Sequence, residues 1–159
     1  MATITTSDLE VVLPKAMKKK IEVEELKGGT EITALKNVSN LETKVRGTAT
    51  FDGKGVSKSP IDLKSTKKET PKLVFKNTNY TKSDITISGK GKGIVKTESG
   101  TFNNSKVKGG KKNDSISFGK KATVNKGKFN LDKGNDSITF NKATKFKGKT
   151  TIDLGKGGK

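Results

Sequence analysis

Short runs in which apolar and polar residues alternate predict β-strands in the first third of the chain. The four clearest runs, all rich in β-branched residues, are residues 21–23, 31–33, 44–46 and 48–51. Side chains of a strand point alternately to its two faces, so this period of two indicates strands with one buried face. Glycines between the runs predict turns. We therefore expect residues 1–56 to form a small antiparallel β unit.

A helix-like signal precedes these strands. Ser7 and Asp8 are residue types that cap helix N-termini, and the largely apolar residues 9–13 follow them directly. Pro14 and the lysines at 18–20 limit the length of any helix here. The N-terminal unit is therefore predicted to contain one short helical turn.

Residues 57–72 have the composition of a connecting segment. They hold two of the three prolines of the chain, Pro60 and Pro71, among lysines, serines and threonines. Proline lacks a backbone N–H and interrupts strand pairing, so these residues are predicted to form a loop or linker between two regions.

A repeat of about 22 residues occupies the rest of the chain. Residues 113–118 (NDSISF) return as residues 135–140 (NDSITF), 22 positions later, and residues 83–89 form a weaker copy. Because the apolar positions stay in register, the repeat predicts stacked coils rather than a sandwich. We expect residues 73–159 to form a β-solenoid and the repeats to continue beyond residue 159.

The composition is compatible with such a stack. Hydrophobic residues make up only 28% of the 159 residues. A solenoid coil buries two or three side chains per strand, here Ile116, Phe118, Ile138 and Phe140, and backbone hydrogen bonds between coils add cohesion. The prediction is an all-β chain in which a small N-terminal β unit precedes a β-solenoid or β-roll-like stack with coils of about 22 residues.

Charge is distributed unevenly along the sequence. The formal net charge is +18, and Arg46 is the only basic residue that is not a lysine. Residues 1–70 hold 13 basic and 10 acidic side chains, whereas residues 71–159 hold 21 and 6. We expect the weakly charged N-terminal unit to dock onto a larger assembly, while the lysines cover the outside of the coils.

Most enzymatic chemistry is excluded by composition. The chain has no Cys and no His, which removes disulfides, thiol nucleophiles, imidazole bases and the usual catalytic triads. The glycine- and lysine-rich residues 89–93 lack the spacing of a phosphate-binding loop. We therefore expect a protein that is not an enzyme and carries no cofactor, with calcium as the one exception considered below.

The glycine- and aspartate-containing residues 109–116 and 132–138 resemble the repeats of RTX (haemolysin-type) calcium-binding proteins. The resemblance implies a parallel β-roll in which Asp114 and Asp136 are calcium ligands and Gly110 and Gly134 permit the turns. The copies lie 22 residues apart instead of nine, and lysines flank both of them. The alternative is that the Asn-Asp pairs close turns by hydrogen bonding to the backbone.

The lysines of the second half form a candidate polyanion-binding set. Lysine is a compact point charge without the planar fork of arginine, which disfavours sequence-specific reading of nucleic acid but allows nonspecific, salt-sensitive binding. Acidic polysaccharides and cell-surface phosphates are the expected ligands; the alternative is that the lysines serve solubility alone. The candidate residues are Lys111, Lys112, Lys120, Lys121, Lys126, Lys128, Lys145, Lys147 and Lys149.

Two further features bear on location. No apolar run is long enough to cross a membrane, and residues 1–14 lack the pattern of a secretory signal peptide. The lysine-rich, arginine-poor composition is similar to that of virion surface proteins, fibres or decorations, of marine phages. We expect a location on a virion surface, outside the cell or on the cell surface.

Together these features favour a non-enzymatic structural or adhesive protein. In the main hypothesis it is an oligomeric or multivalent phage virion component, a capsid decoration or fibre, anchored to a capsid or tail by its N-terminal part and displaying a basic β-solenoid. The second hypothesis is a secreted RTX-like calcium-binding protein. The third is a nonspecific binder of polyanions or nucleic acid.

Overall fold

A computed structural model describes residues 1–157 and consists of strands and one 3₁₀ helix, Lys15–Lys20. The strands are β1 (Ala2–Thr5), β2 (Leu9–Leu13), β3 (Ile21–Leu26), β4 (Gly29–Ala34), β5 (Val38–Ser39), β6 (Glu42–Val45), β7 (Thr48–Gly53), β8 (Val56–Ser57), β9 (Ile61–Ser65), β10 (Lys72–Lys76), β11 (Tyr80–Thr81), β12 (Asp84–Gly89), β13 (Ile94–Asn103), β14 (Lys106–Lys108), β15 (Ser115–Asn125), β16 (Lys128–Asn130), β17 (Ser137–Phe140), β18 (Lys145–Lys147) and β19 (Thr151–Asp153).

From β4 onward the chain winds into a β-solenoid of about six coils. Each coil contributes to three faces, and strands of successive coils pair in parallel on every face. The first face contains β4, β7, β10, the start of β13, the start of β15, and β17. The second contains β5, β8, β11, the ends of β13 and β15, and β18. The third contains β6, β9, β12, β14, β16 and β19. The predicted all-β solenoid with coils of about 22 residues is confirmed.

Antiparallel strands cover the N-terminal end of this stack. On the third face β1 pairs with β2 and β2 with β6, and on the first face β3 pairs with β4, all antiparallel. Ile4, Met17 and Val23 pack against the core from this end. The small N-terminal β unit is thus present, but the parallel coils begin at β4 and not at the predicted residue 73.

The predicted helical turn over residues 9–13 is wrong, because these residues form β2. Leu9, Val11 and Leu13 are all completely buried and point to the same face of the strand. Their spacing of two therefore outweighs the capping signal of Ser7 and Asp8. The short helix lies instead at Lys15–Lys20, directly after Pro14.

The predicted linker over residues 57–72 is also incorrect. It contains β9, which lies between β6 and β12 on the third face, with Ile61 and Leu63 buried in the core. Pro60 and Pro71 each directly precede a strand, where a missing N–H does not break the ladder. Only residues 66–71 form a longer turn, so the segment is part of a coil.

All aromatic residues of the chain lie in one continuous column. The seven phenylalanines and Tyr80 contact one another in sequence, with ring centroids 4.8–6.5 Å apart. Rings on the same face come from adjacent coils: Phe51 and Phe75 pair in register on the first face, and Tyr80 and Phe102 on the second. The predicted core residues Ile116 and Phe118 are buried beside them. Aromatic stacking therefore runs along the axis of the solenoid.

Candidate functional site

The corner between the second and third faces has the same backbone conformation in successive coils. Its first residue lies in the left-handed region, with φ between 46° and 58° in five coils. The sixth coil has glycine there, with φ of 67°. These residues are Asn40, Lys58, Lys82, Asn104, Lys126 and Gly148. Because a left-handed residue turns the chain sharply, the chain changes direction at the same position in successive coils.

Serines follow the left-handed residue in three consecutive coils and bond the coils together. The Ser83 Oγ accepts a hydrogen bond from the Ser59 N–H at 2.8 Å, and the Ser105 Oγ accepts one from the Ser83 N–H at 3.1 Å. The Ser59 Oγ does the same for the Leu41 N–H. Each hydroxyl also donates to a carbonyl of its own coil. This buried serine ladder satisfies backbone groups that the turn leaves unpaired and fixes the corner geometry.

Lysines line a groove of about 230 Å³ outside this corner, which we call the corner groove. Lys106 and Lys128 are register partners on the third face, and Lys126 lies one turn residue away. Strands in a sheet are about 4.8 Å apart, so the two partner lysines emerge at that spacing. Asp84 is the one acidic residue that lines the groove. Two positive charges at this spacing repel each other, and an anion that binds between them reduces that repulsion.

The nine predicted lysines fall into three groups. Lys126, Lys128, Lys147 and Lys149 belong to the corner between the second and third faces, and the Lys126 N–H donates to the Lys147 carbonyl oxygen. A second, shallow pocket between the first and second faces is lined by Lys120, Lys121 and Lys145. Lys111 and Lys112 lie in the turn that joins β14 to β15. The structure therefore distributes the predicted set around the coils instead of forming a single patch.

None of these nine lysines forms an ion pair with a described residue, although Asp84 lies near the corner groove as the register partner of Lys106. The four ion pairs of residues 1–157 are Lys44–Glu10, Arg46–Glu10, Lys76–Glu31 and Lys96–Glu98. All lie before residue 99, so none of the described lysines beyond that point is ion-paired. The lysines of the later coils are exposed to solvent. Their charge is consequently available to an external anion.

Asp114 and Asp136 lie at the corner before the first face, in adjacent coils, and their side chains point inward. Both are about 1% exposed. The Asp114 Oδ1 accepts from the Gly93 N–H at 2.8 Å, and its Oδ2 accepts from the Gly110 N–H at 2.7 Å. The Asp136 Oδ1 accepts from the Asp114 N–H at 2.6 Å. Each carboxylate therefore bonds to the backbone of the coil before it, which is the turn-closing alternative to a metal site.

Burial raises the pKa of both Asp114 and Asp136 above the usual aspartate range, because the charged form loses its hydration. Backbone N–H groups oppose this effect by stabilising the carboxylates, while the negative charge of Asp136 adds to the increase in the pKa of Asp114. The Asp136 Oδ2 has no hydrogen-bond partner among the described residues. Asp114 is thus fully satisfied, and Asp136 is only half satisfied.

The calcium role implied by the RTX resemblance does not fit this arrangement. Calcium requires six to eight oxygen ligands, and both oxygens of Asp114 are already used by backbone N–H groups. Within residues 1–157 no cluster of three or more acidic side chains could hold a metal ion. Gly134 has a φ of 130° and packs against the backbone of Lys112, which explains the glycine without a metal. Gly110 serves as a hydrogen-bond donor to Asp114.

Sequence reasoning missed Lys82 and Lys106, which belong to the same corner as Lys126 and Lys128. A signal for them does exist. In four of the six coils the corner has the same pattern, in which an apolar and a polar residue precede the left-handed position and two further residues separate it from the next apolar residue. Examples are residues 80–85, 102–107 and 124–129. The 22-residue spacing of the Asn-Asp copies also separates Lys106 from Lys128, and twice that spacing separates Lys82 from Lys126, so one alignment brings all four lysines to this corner.

The fold and its surface define a lysine-rich, three-faced β-solenoid with a capped N-terminal end. No family model matches the chain, and neither a curated protein nor a solved structure gives a match. Over residues 1–157, the structure has no helix with the length and apolarity needed to cross a membrane.

Proposed function

We propose that the chain is a non-enzymatic structural and adhesive module that binds polyanions through the lysines of the corner groove. The observation that carries the proposal is the stacking of Lys106 and Lys128 in register, beside Lys126, with no carboxylate paired to any of them. The ladder holds the backbone of these lysines at a fixed spacing, so an anionic chain running along the axis meets a repeated set of cations, and only the lysine side chains lose freedom on binding.

Polyanions with closely spaced charges, such as sulfated or phosphorylated polymers, are the ligand class that this geometry favours. Tyr80, the one tyrosine, is buried in the core together with Phe102, so these rings do not offer a platform for stacking nucleic-acid bases. Arginine is present only at Arg46, outside the corner groove. Charge pairing without base reading is therefore the proposed mode of binding.

The test is affinity for heparin and for inorganic polyphosphate at several salt concentrations. The corner variant, Lys106→Ser with Lys126→Asn and Lys128→Ser, is expected to bind about tenfold more weakly or worse, and with a smaller salt dependence. Asparagine is chosen for position 126 because Asn40 and Asn104 occupy the equivalent left-handed position. The fold should therefore survive the change.

A matched variant removes three exposed lysines away from the groove: Lys54→Ser, Lys64→Ser and Lys92→Ser. It carries the same change in net charge, so it separates a defined site from general attraction. Equal losses of affinity in the two variants, or no measurable binding by the unaltered chain, would contradict the proposal.

The placement on a virion, with an N-terminal anchor on a capsid or tail, is a further part of the proposal that rests on composition and charge asymmetry. Its support is the contrast between residues 1–70 and the strongly basic residues 71–159. Co-purification of the chain with a particle would test it.

A further inference from the structure

The outer surface of the second face is uncharged over five successive coils. In each of these coils one apolar residue points inward, and the residues directly before and after it point outward. The outward residues are Asn37 and Ser39, Gly55 and Ser57, Asn79 and Thr81, Thr101 and Asn103, and Thr123 and Asn125. The sixth coil has Lys145 and Lys147 there instead. Charged residues make up 31% of the chain, so this run of uncharged outward positions distinguishes the surface from its surroundings.

The neighbouring third face shows that the coil fold does not require uncharged outward residues. Glu42 and Lys44 are the exposed residues of β6, and Lys106 and Lys108 are those of β14. A charged side chain that is covered by an uncharged partner loses hydration and gains no opposite charge in return. The outer surface of the second face is therefore the part of these coils that suits a partner without charge.

A notch interrupts this surface at Gly55. Gly55 lies in register between Asn37 of the coil before and Asn79 of the coil after, and it has no side chain to fill the space between them. The resulting cavity, which we call the Gly55 notch, has a volume of about 260 Å³. Its lining residues are Asn37, Gly55, Val56, Ser57, Asn79 and Thr81. Pockets for drug-sized ligands begin at about 300 Å³, so the notch suits a smaller group of the size of one sugar ring.

Backbone hydrogen bonds fix the two amides that flank the notch. The Asn37 Oδ1 accepts from the Gly55 N–H at 2.9 Å, and the Asn79 Oδ1 accepts from the Thr101 N–H at 3.0 Å. A backbone N–H bonds to the oxygen of an amide and not to its nitrogen, so these contacts determine which side of each amide carries Nδ2. Neither Nδ2 bonds to a described residue. The notch therefore has two oriented donors before any ligand arrives.

Hydroxyl groups complete the lining. Ser57 and Thr81 are register partners in adjacent coils and lie on the other side of the inward-pointing residues from Asn37 and Asn79. A hydroxyl both donates and accepts, and its hydrogen rotates to suit the partner. Fixed amide donors beside adaptable hydroxyls match a ligand that itself carries several hydroxyls.

We propose that the Gly55 notch binds one sugar residue of a neutral polysaccharide, whose neighbouring residues lie along the uncharged outer surface of the second face. The sugar hydroxyls accept from the amide nitrogens and exchange hydrogen bonds with the hydroxyls. The inference goes beyond polyanion binding and does not rest on it, because the notch contains none of Lys106, Lys126 and Lys128.

Isothermal titration calorimetry with three neutral hexasaccharides, maltohexaose, cellohexaose and N-acetylchitohexaose, tests the proposal. We expect at least one of them to bind, with an affinity that does not change with salt because no charge is paired. Gly55→Thr should weaken that binding about tenfold or more by filling the notch, and Gly55→Ala should weaken it less. Threonine occupies the equivalent position in later coils, at Thr101 and Thr123, so the fold should accept it.

The matched control is Gly28→Thr, which adds the same side chain at a glycine whose added Cβ would meet no atom within 4 Å. It should bind the sugar like the unaltered chain, and circular dichroism spectra establish that each variant is folded. The corner variant should keep its sugar affinity and Gly55→Thr its heparin affinity, so the two proposals can fail separately. Three results would each overturn the inference: no binding of any of the hexasaccharides, equal affinity of Gly55→Thr and the unaltered chain, or an affinity that falls with salt.

Discussion

The two ends of the solenoid differ in how their inward-facing side chains are covered. At the N-terminal end the antiparallel strands β2 and β3 continue the sheets, and Ile4, Met17 and Val23 close over the core. At the C-terminal end Phe146 and Ile152 are about half exposed although they occupy core positions of their coil. A coil is therefore not stable by itself, because each one obtains its buried surface from its two neighbours.

The electrostatic contrast follows the same axis. Every ion pair among the described residues lies before residue 99, and the later coils hold lysines without carboxylate partners. Since each coil advances along the axis, the charge gradient of the sequence becomes a gradient along the rod. The N-terminal end is thus capped and contains the ion pairs, and the later coils are basic without them.

The largest expected effect is on the free energy of unfolding, and it is seen by truncating one aromatic residue in the middle of the stack and one at its C-terminal end. Phe102→Ala should lower the free energy of unfolding by about 3–5 kcal/mol, since Phe102 is buried and contacts three other rings in the neighbouring coils. Phe146→Ala should cost about 1 kcal/mol or less. Chemical denaturation of both variants measures this. Similar costs at the two positions would show that the open end is covered in solution.

A smaller effect on stability is expected from changing the two buried carboxylates. Asp114 lies between coils, and Asp136 lies one coil nearer the C-terminal end. Asp114→Asn replaces one of two acceptor oxygens and leaves the N–H of Gly93 or Gly110 unpaired, at a cost of about 1–3 kcal/mol. Asp136→Asn keeps the one oxygen in use and removes a buried charge, so at neutral pH its stability should equal or exceed that of the unaltered chain.

The dependence on pH provides the control for this prediction. The pKa of each carboxyl is raised in the folded state, so its favourable contribution is complete at acidic pH and is lost as the pH rises through that pKa. Any advantage of Asp136→Asn should therefore disappear on acidification. Thermal unfolding from acidic to neutral pH measures the difference between variant and unaltered chain. An advantage that grows as the pH falls would contradict the assignment.

The smallest expected effect is that of calcium on the open end. Because backbone N–H groups use both oxygens of Asp114, adding calcium or a chelator should leave the melting temperature and the circular dichroism spectrum unchanged. A calcium-dependent rise in melting temperature that Asp136→Asn abolishes would instead support the RTX-like hypothesis and show that the open end is ordered by metal.

The later coils could be predicted from sequence because residues 113–118 and 135–140 repeat at a constant spacing that equals their register in the sheet. The first coils could not, because their lengths vary. Val38 pairs with Val56, 18 residues on, whereas Val56 pairs with Tyr80, 24 residues on. Without a constant period, self-comparison finds no repeat, and Pro60 looked like part of a linker although it lies at a corner.

Only part of the candidate site was predicted from the sequence. Lys126 and Lys128 were identified by composition, whereas Lys82 and Lys106, which lie at the same 22-residue period, were missed because the period was read from the Asn-Asp copies alone. The direction of the aspartate side chains was also beyond sequence reasoning. An Asn-Asp pair in a turn can point outward to a metal or inward to the backbone, and the packing of the adjacent coil decides between them.

The serine ladder and the parallel pairing link each coil only to its immediate neighbours, which has a mechanical consequence. A pulling force applied at the C-terminal end would meet the uncapped coil first and detach coils one after another. Each coil adds about 4.8 Å to the height of the rod but contains about 22 residues, which extend to roughly 70 Å when unravelled. The molecule would thus lengthen in steps under load while its capped end stays folded.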